Sequence, residues 1–132
     1  MLTIDHLGIA VKSLAAAKKF YQSLGLEVQA EEVSLREKVR LAMLPLGTSR
    51  IELLEATAED SPIAKFLDKR GEGLHHVALH VDNLPAMVER MKQAGARFIS
   101  EEIKIGAGGH AYVFVHPAST GGVLLELVSE PG

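Results

Sequence analysis

The chain opens on an alternation of bulky and small or polar side chains. In "HLGIAV", residues 6–11, the aliphatic side chains fall on every second position, which is the period of a β-strand. The spacing of apolar residues then changes to that of a helix and stops at Gly25. The apolar positions with helical spacing are Leu14, Ala17, Tyr21 and Leu24. This opening segment therefore predicts a strand followed by a helix.

The same pattern recurs at an offset of 70 residues. Identical residues at this offset are His6 and His76, Val11 and Val81, Leu14 and Leu84, Gly25 and Gly95, Glu31 and Glu101, and Glu32 and Glu102. Ser13 and Asn83 stand immediately before the two helical patterns, where a residue that caps a helix N-terminus is expected. Such self-similarity is typical of one supersecondary unit that is used twice.

Each predicted helix is followed by three short segments with strand composition. They are residues 26–32, 39–46 and 50–56 in the first half, and residues 96–100, 111–117 and 122–128 in the second half. Between the halves, residues 59–73 predict a short helix that Asp60 or Ser61 caps and that Pro62 begins. The predicted fold class is α+β: one domain over residues 1–132, with two βαβββ modules at approximately 1–70 and 71–132. The modules are expected to form an eight-stranded, cupped, mixed sheet with the helices outside.

Composition narrows the function classes. Hydrophobic residues make up 47% of the 132 residues and the formal net charge is -3, without a long basic run, so nucleic acid is not an expected partner. The chain has no cysteine, which excludes thiol nucleophiles and is compatible with a reducing compartment. No apolar stretch reaches the length of a membrane span, and the N-terminus lacks the pattern of a secretory signal. A cytoplasmic protein with no membrane partner is expected.

The alternation also predicts which way the histidines point. The aliphatic positions of residues 7–11 are expected to meet the helix, so His6 faces the concave side of the sheet. In the second half His76 and His80 take that side, whereas His75 points away. His80 lies two residues beyond His76 along the strand, so lining or hydrogen bonding is expected of it rather than metal ligation.

A glutamate interrupts the last strand of each half. Glu52 stands in "RIELLEA" and Glu126 in "VLLELV", each on the face opposite its aliphatic neighbours. The glutamates are 74 residues apart and the histidines 70, so the pairs correspond if the second half has four extra residues in its loops. Pairing with a cation, or exposure on an edge strand, would explain a single glutamate within an apolar strand. Two equivalent glutamates, each with an equivalent histidine, predict instead a shared site for Fe(II), Co, Ni, Mn or Zn.

At these residues the sequence resembles a known family. The segments "IDHLGIAV", "GLHHVALHVDN", "FVHP" and "GGVLLEL" are similar to the methylmalonyl-CoA epimerases of the vicinal-oxygen-chelate superfamily, which also contains glyoxalase I and extradiol dioxygenases. The resemblance covers nearly the whole chain. It implies a βαβββ repeat, an acyl-CoA substrate, a divalent cation such as Co, Mn, Ni or Zn, and a homodimer.

The resemblance also implies roles for individual residues. His6, His76 and Glu126 match the metal ligands of the family. Some epimerases are similar but have glutamine where this chain has Glu52, so Glu52 is either a fourth ligand or a base beside the metal. Epimerisation needs acid/base groups on both sides of the α-carbon. Glu126 is the first candidate for one of them, and Glu52, or less readily Glu37 of the "REKVRL" strand, for the other.

Three alternatives stay open at this point. The His, Glu, His, Glu set is also similar to bacterial glyoxalase I, although "FVHPASTGGVLLEL" differs from the acidic turn common there. An extradiol dioxygenase would use His6, His76 and Glu126 to bind Fe(II), but aromatic residues make up only 5% of the chain. A metal-free binding module would have no need for two glutamates in mid-strand.

Overall fold

The computed structural model describes residues 2–100, 102–106 and 109–130. Its elements in chain order are β1 (Thr3–Ala10), α1 (Leu14–Ser23), β2 (Ala30–Ser34), β3 (Val39–Leu46), β4 (Ser49–Ala56), α2 (Pro62–Arg70), β5 (Gly73–His80), α3 (Leu84–Gln93), β6 (Lys104–Ile105), β7 (Ala111–Val115) and β8 (Leu125–Ser129). The chain divides into two compact units. One is His6–His75, and the other combines the described residues up to Asp5 with those from His76 onward.

Each half of the chain has four strands, with parallel and antiparallel neighbours. In the first half the order is β2-β3-β4-β1, and in the second half it is β5-β8-β7-β6. The pairs β1–β4 and β5–β8 are parallel, and the remaining pairs within each half are antiparallel. Each half therefore has the connectivity βαβββ, and the predicted α+β class with two such modules is confirmed.

The helices begin where the polar residues before them can satisfy free backbone N–H groups. The Ser13 side chain accepts a hydrogen bond from the Ala16 N–H, and the Asn83 side chain accepts one from the Ala86 N–H. Between the halves it is Ser61, not Asp60, that caps α2. The caps Ser13 and Asn83 were predicted from the sequence, whereas for α2 the prediction left Asp60 and Ser61 open.

One face of each unit is covered by its helix. Leu14 of α1 packs with the aliphatic side chains of β1, β3 and β4, and Leu84 and Val88 of α3 pack with those of β7 and β8. Helix α2 covers part of the opposite face in the first unit, where Ile63 contacts a cluster that includes Ala10 and Leu54. The sheet face of His6 is thus apolar at one end, beneath α2.

Two predicted strands lie elsewhere. The first-half strand predicted at 26–32 is β2, Ala30–Ser34. The strand predicted at 96–100 is only an isolated bridge between Phe98 and Val115. Two segments share the outer edge of β7. Phe98 pairs with one end of this strand, and β6 pairs with the other end, at Ala111 and Tyr112.

The extra residues of the second half lie mostly in one loop. The residue opposite the mid-strand glutamate is Met43 in β3 and Phe114 in β7, an offset of 71, whereas the glutamates themselves are 74 apart. Three of the four extra residues therefore follow β7, in a segment that contains a short 3₁₀ turn over Pro117–Ser119. None of the helices in the described part of the chain has the length and hydropathy to cross a membrane.

We predict that the β2–β3 turn contains removable strain. Lys38 has φ 56° and is the only non-glycine residue with positive φ in the described ranges. Left-handed backbone costs an L-residue about 1–2 kcal/mol, partly offset by the extra chain entropy of glycine, about 0.5–1 kcal/mol. Lys38→Gly should therefore raise the free energy of unfolding by about 0.5–1 kcal/mol in urea denaturation.

The measurement needs a background without the Lys38–Asp60 ion pair. The Lys38 ammonium donates to the Asp60 carboxylate and holds the pKa of that carboxyl below its usual range. The comparison is therefore made in Asp60→Asn, where that pair is already absent. Glu37→Gly in the same turn is the control and should destabilise, because Glu37 does not have positive φ. Equal effects of the two glycines would contradict the strain.

Candidate functional site

The first candidate pair joins β1 to β4. These strands are parallel neighbours, and Gly8 lies opposite Glu52 in their register. The Nδ1 atom of His6 lies 3.4 Å from Oε2 of Glu52, with both side chains buried. Because Gly8 has no side chain, the space in front of the carboxylate stays available to the imidazole.

The second pair has the same construction. Ala78 lies opposite Glu126 in the parallel register of β5 and β8. The Nε2 atom of His76 lies 3.3 Å from Oε1 of Glu126, and both residues are buried. The sequence predicted that the equivalent histidines and glutamates would be partners, and the structure brings each histidine to its own glutamate. The two pairs differ in the ring nitrogen that faces the carboxylate.

The two glutamates also differ in their neighbours. The Nε–H of Arg50 donates a hydrogen bond to Oε2 of Glu52, with an Nε–Oε2 distance of 2.9 Å. Arg50 stands two positions before Glu52 in β4, so both side chains lie on the same face of the strand. The sequence argument missed this contact, although period-two spacing on a strand could have revealed it. The alternative in which a cation partners the carboxylate is thus realised for Glu52, in addition to its histidine.

Aromatic packing fixes the orientation of His76. The ring of Phe114, which lies opposite Glu126 in β7, meets the His76 ring edge to face, with the centroids 5.8 Å apart. Tyr112 packs edge to face on Phe114 in turn. Met43 stands at the equivalent register position of the first half, opposite Glu52.

The remaining candidate histidines have other partners. The Nε2 atom of His80 lies 3.6 Å from a carboxylate oxygen of Glu130, near the end of β8. The Nδ1 atom of His116 accepts a hydrogen bond from the Ala118 N–H, which caps the 3₁₀ turn. His75 packs edge to face on Phe66 of α2. His80 thus has a side-chain contact of the kind expected from the sequence, and the His116 side chain caps the 3₁₀ turn.

The donor atoms of the two pairs have a definite chemistry. Each pair offers an imidazole nitrogen and a carboxylate oxygen at a buried position, and this is the donor type that divalent transition cations prefer. A carboxylate is also a suitable base for a carbon acid whose anion is stabilised nearby. The residues present therefore fit both metal binding and proton transfer.

Comparison with known proteins points in the same direction. Residues 5–114 match the family described as the Glyoxalase/Bleomycin resistance protein/Dioxygenase superfamily. The chain is 44% identical over 127 residues to the mitochondrial methylmalonyl-CoA epimerase of Bos taurus, an alignment that covers 94% of this chain and 72% of that protein. It is 41% identical to the ethylmalonyl-CoA/methylmalonyl-CoA epimerase of Cereibacter sphaeroides, and that alignment covers 94% of this chain and 95% of the relative.

A solved structure resembles the whole chain. It is a variant of Streptomyces coelicolor methylmalonyl-CoA epimerase in complex with 2-nitronate-propionyl-CoA. The TM-score is 0.93 and the sequence identity 39%, with 100% of both chains covered. Likeness at this level of identity extends to the chain as a whole and is not limited to a single motif.

We predict unequal effects when each buried glutamate loses its charge. Glu126→Gln keeps the size of the side chain and removes a buried charge, so the protein should gain about 1–3 kcal/mol of unfolding free energy. The measurement is urea denaturation at pH 8 with a chelator present, where an ordinary histidine is neutral. Glu52→Gln should gain less, because it takes away the charged partner of Arg50.

Glu130→Gln is the control for loss of a negative charge from the same half. Its side chain is largely exposed, so its unfolding free energy should stay close to that of the parent. Equal gains for Glu52→Gln and Glu126→Gln would contradict the electrostatic difference that the contacts describe.

Proposed function

The chain belongs to the Glyoxalase/Bleomycin resistance protein/Dioxygenase superfamily, and we propose that within it this protein is an epimerase that inverts methylmalonyl-CoA at C2. The reaction removes the α-proton from one face of C2 and returns a proton to the other face. The enzyme is an isomerase with an acyl-CoA substrate. Its relatives named for this activity match nearly the entire chain.

The observation that carries the proposal is the pair of buried glutamates at equivalent register positions. Glu52 lies opposite Gly8 and Glu126 opposite Ala78, each beside its own histidine. An epimerase needs two proton-transfer groups, one for each face of the carbon. A duplicated module that supplies one carboxylate per copy meets this requirement directly.

The same residues would hold a divalent cation. His6, His76 and Glu126 are the proposed protein ligands, since imidazole nitrogen and carboxylate oxygen are the donors that such cations prefer. Glu52 is the fourth residue of the proposed set, either as a ligand or as a base beside the metal. When bound, a cation such as Co, Mn, Ni or Zn supplies Lewis acidity to substrate oxygens that gain negative charge as the α-proton leaves.

The transfer of one proton from C2 and one proton to C2 requires the two glutamates to begin in opposite protonation states. One glutamate, as carboxylate, takes the proton from C2, while the other, as carboxylic acid, gives its proton to the opposite face. We assign Glu126 and Glu52 to these two roles. After one turnover the two groups have exchanged protonation states, and both then exchange protons with water. Solvent hydrogen must therefore appear at C2.

A homodimer and a cytoplasmic location belong to the same proposal. Strand β2 is an edge strand, and two apolar side chains are exposed there: Val33 within the strand is 53% exposed, and Leu35, just after it, is 86% exposed. Edge strands of this kind gain from pairing or cover. The absence of cysteine accords with a reducing compartment. Light scattering of the purified protein measures the assembly directly.

Incubation with methylmalonyl-CoA in heavy water tests the function. With Co(II) or Mn(II) supplied, the protein should incorporate deuterium at the α-position, which mass spectrometry detects as a gain of one mass unit per molecule. Glu126→Gln should lower the rate of incorporation by at least about 100-fold, because acid/base groups contribute about 10²–10⁴. Glu130→Gln, a carboxylate outside the proposed set, should leave the rate unchanged.

A second incubation tests the alternative activity, that of glyoxalase I. The cation-loaded protein should not isomerise a hemithioacetal of glutathione. Absence of deuterium exchange with both cations would overturn the epimerase assignment. Removal of the cation with a chelator should abolish exchange, and re-addition should restore it. Exchange that survives complete removal of the cation would contradict the proposed metal.

A further inference from the structure

The two modules are not equivalent at the position that precedes each glutamate by two residues. The offset of 74 between β4 and β8 is fixed by register, since Ile51 and Leu125 occupy the same place opposite their parallel neighbours. At this offset Arg50 corresponds to Leu124. The first module therefore places a permanent positive charge where the second module has an aliphatic side chain.

The arginine contacts the oxygen that the histidine also faces. The same Oε2 atom of Glu52 lies 2.9 Å from Nε of Arg50 and 3.4 Å from Nδ1 of His6. The Glu52 side chain is 9% exposed and that of Arg50 is 32% exposed. The hydrogen bond is therefore formed at the border between the buried site and solvent, where its electrostatic effect is stronger than on an open surface.

Such a contact changes what the carboxylate can offer to a cation. A guanidinium hydrogen bond occupies lone-pair capacity on Oε2 and brings a positive charge close to any metal that Glu52 would bind. Both effects weaken Glu52 as a metal ligand, and neither of these two contacts involves its other oxygen, Oε1. Leu124 exerts neither effect on Glu126.

We propose that Arg50 is a positioning residue that holds Glu52 away from full metal ligation and so makes the two equivalent glutamates unequal. Glu126 then serves both as the carboxylate ligand and as a proton-transfer group, whereas Glu52 serves mainly as the proton-transfer group beside the metal. The inference rests on the proposed function and answers the question that the sequence left open for Glu52. It predicts that the cation affinity of the protein is limited by Arg50.

Substitution of Arg50 by the residue of the other module is the direct test. Arg50→Leu should tighten Co(II) binding about tenfold, measured by calorimetry without substrate, because it removes a nearby positive charge and frees a ligand oxygen. The visible absorption bands of bound Co(II) should change as Glu52 enters the coordination shell. Arg50→Lys retains the charge and should keep the parental affinity to within about threefold.

A second background decides whether Arg50 acts through Glu52. In Glu52→Gln, the gain in Co(II) affinity from Arg50→Leu should fall to about threefold or less and the spectrum should stay unaltered, since no carboxylate is freed and only the effect of the charge remains. An unchanged affinity in Arg50→Leu alone, or the same gain in both backgrounds, would overturn the inference. Arg50→Gln, which is neutral and polar, replaces the leucine variant if the latter does not fold.

The kinetic consequence distinguishes this role from substrate binding. Arg50→Leu should lower kcat for deuterium exchange, because Glu52 is diverted to the cation, with little change in KM for methylmalonyl-CoA. A rise in KM with unaltered Co(II) affinity would instead make Arg50 a substrate-binding residue and overturn the inference. If the parent chain binds no Co(II), the proposed function itself fails. If the parent binds Co(II) but Arg50→Leu does not change the affinity, only the inference about Arg50 fails.

Discussion

Burial of a carboxylate in the middle of a strand costs folding free energy, and each half of this protein buries one such carboxylate. Glu52 and Glu126 are 7% and 9% exposed, on strands whose other side chains are mostly aliphatic. Such a group is tolerated only with compensating neighbours, and here the register supplies them. A small residue stands opposite each carboxylate, which leaves room for a histidine beside it.

The two faces of each strand have different tasks. Ile9 of β1 and Ile51 and Leu53 of β4 pack with α1 and supply apolar burial that stabilises the first unit. The other face holds the histidine and the glutamate, with α2 closing it at the end near Ala10. Because strand periodicity separates the faces, polar chemistry on one of them leaves the packing on the other intact. The same division recurs in the second unit, where α3 covers the helix side.

Duplication gives an epimerase its two proton-transfer groups, but identical groups would compete for the same role. Methylmalonyl-CoA presents two faces at C2, and one carboxylate must be charged when the other is protonated. The contact of Arg50 with Glu52, which has Leu124 as its counterpart, gives the two modules different electrostatics on the same backbone. Phe114 and Met43 occupy the equivalent register position opposite the glutamate in the two modules. In the proposed mechanism, the difference between Arg50 and Leu124 gives the two glutamates different roles.

The sequence by itself determined the elements and the faces. Period-two alternation, the cap residues Ser13 and Asn83 and the offset of 70 are local properties of the chain, so they predicted the βαβββ modules and the pairing of each histidine with its glutamate. It did not determine which segments pair with the outer edge of β7. Phe98 pairs with one end and β6 with the other, and tertiary packing decides which segment lies at each end. Nor did the sequence reveal that Arg50 contacts Glu52. Side-chain reach and direction decide that contact, and they depend on the folded register and the burial around it.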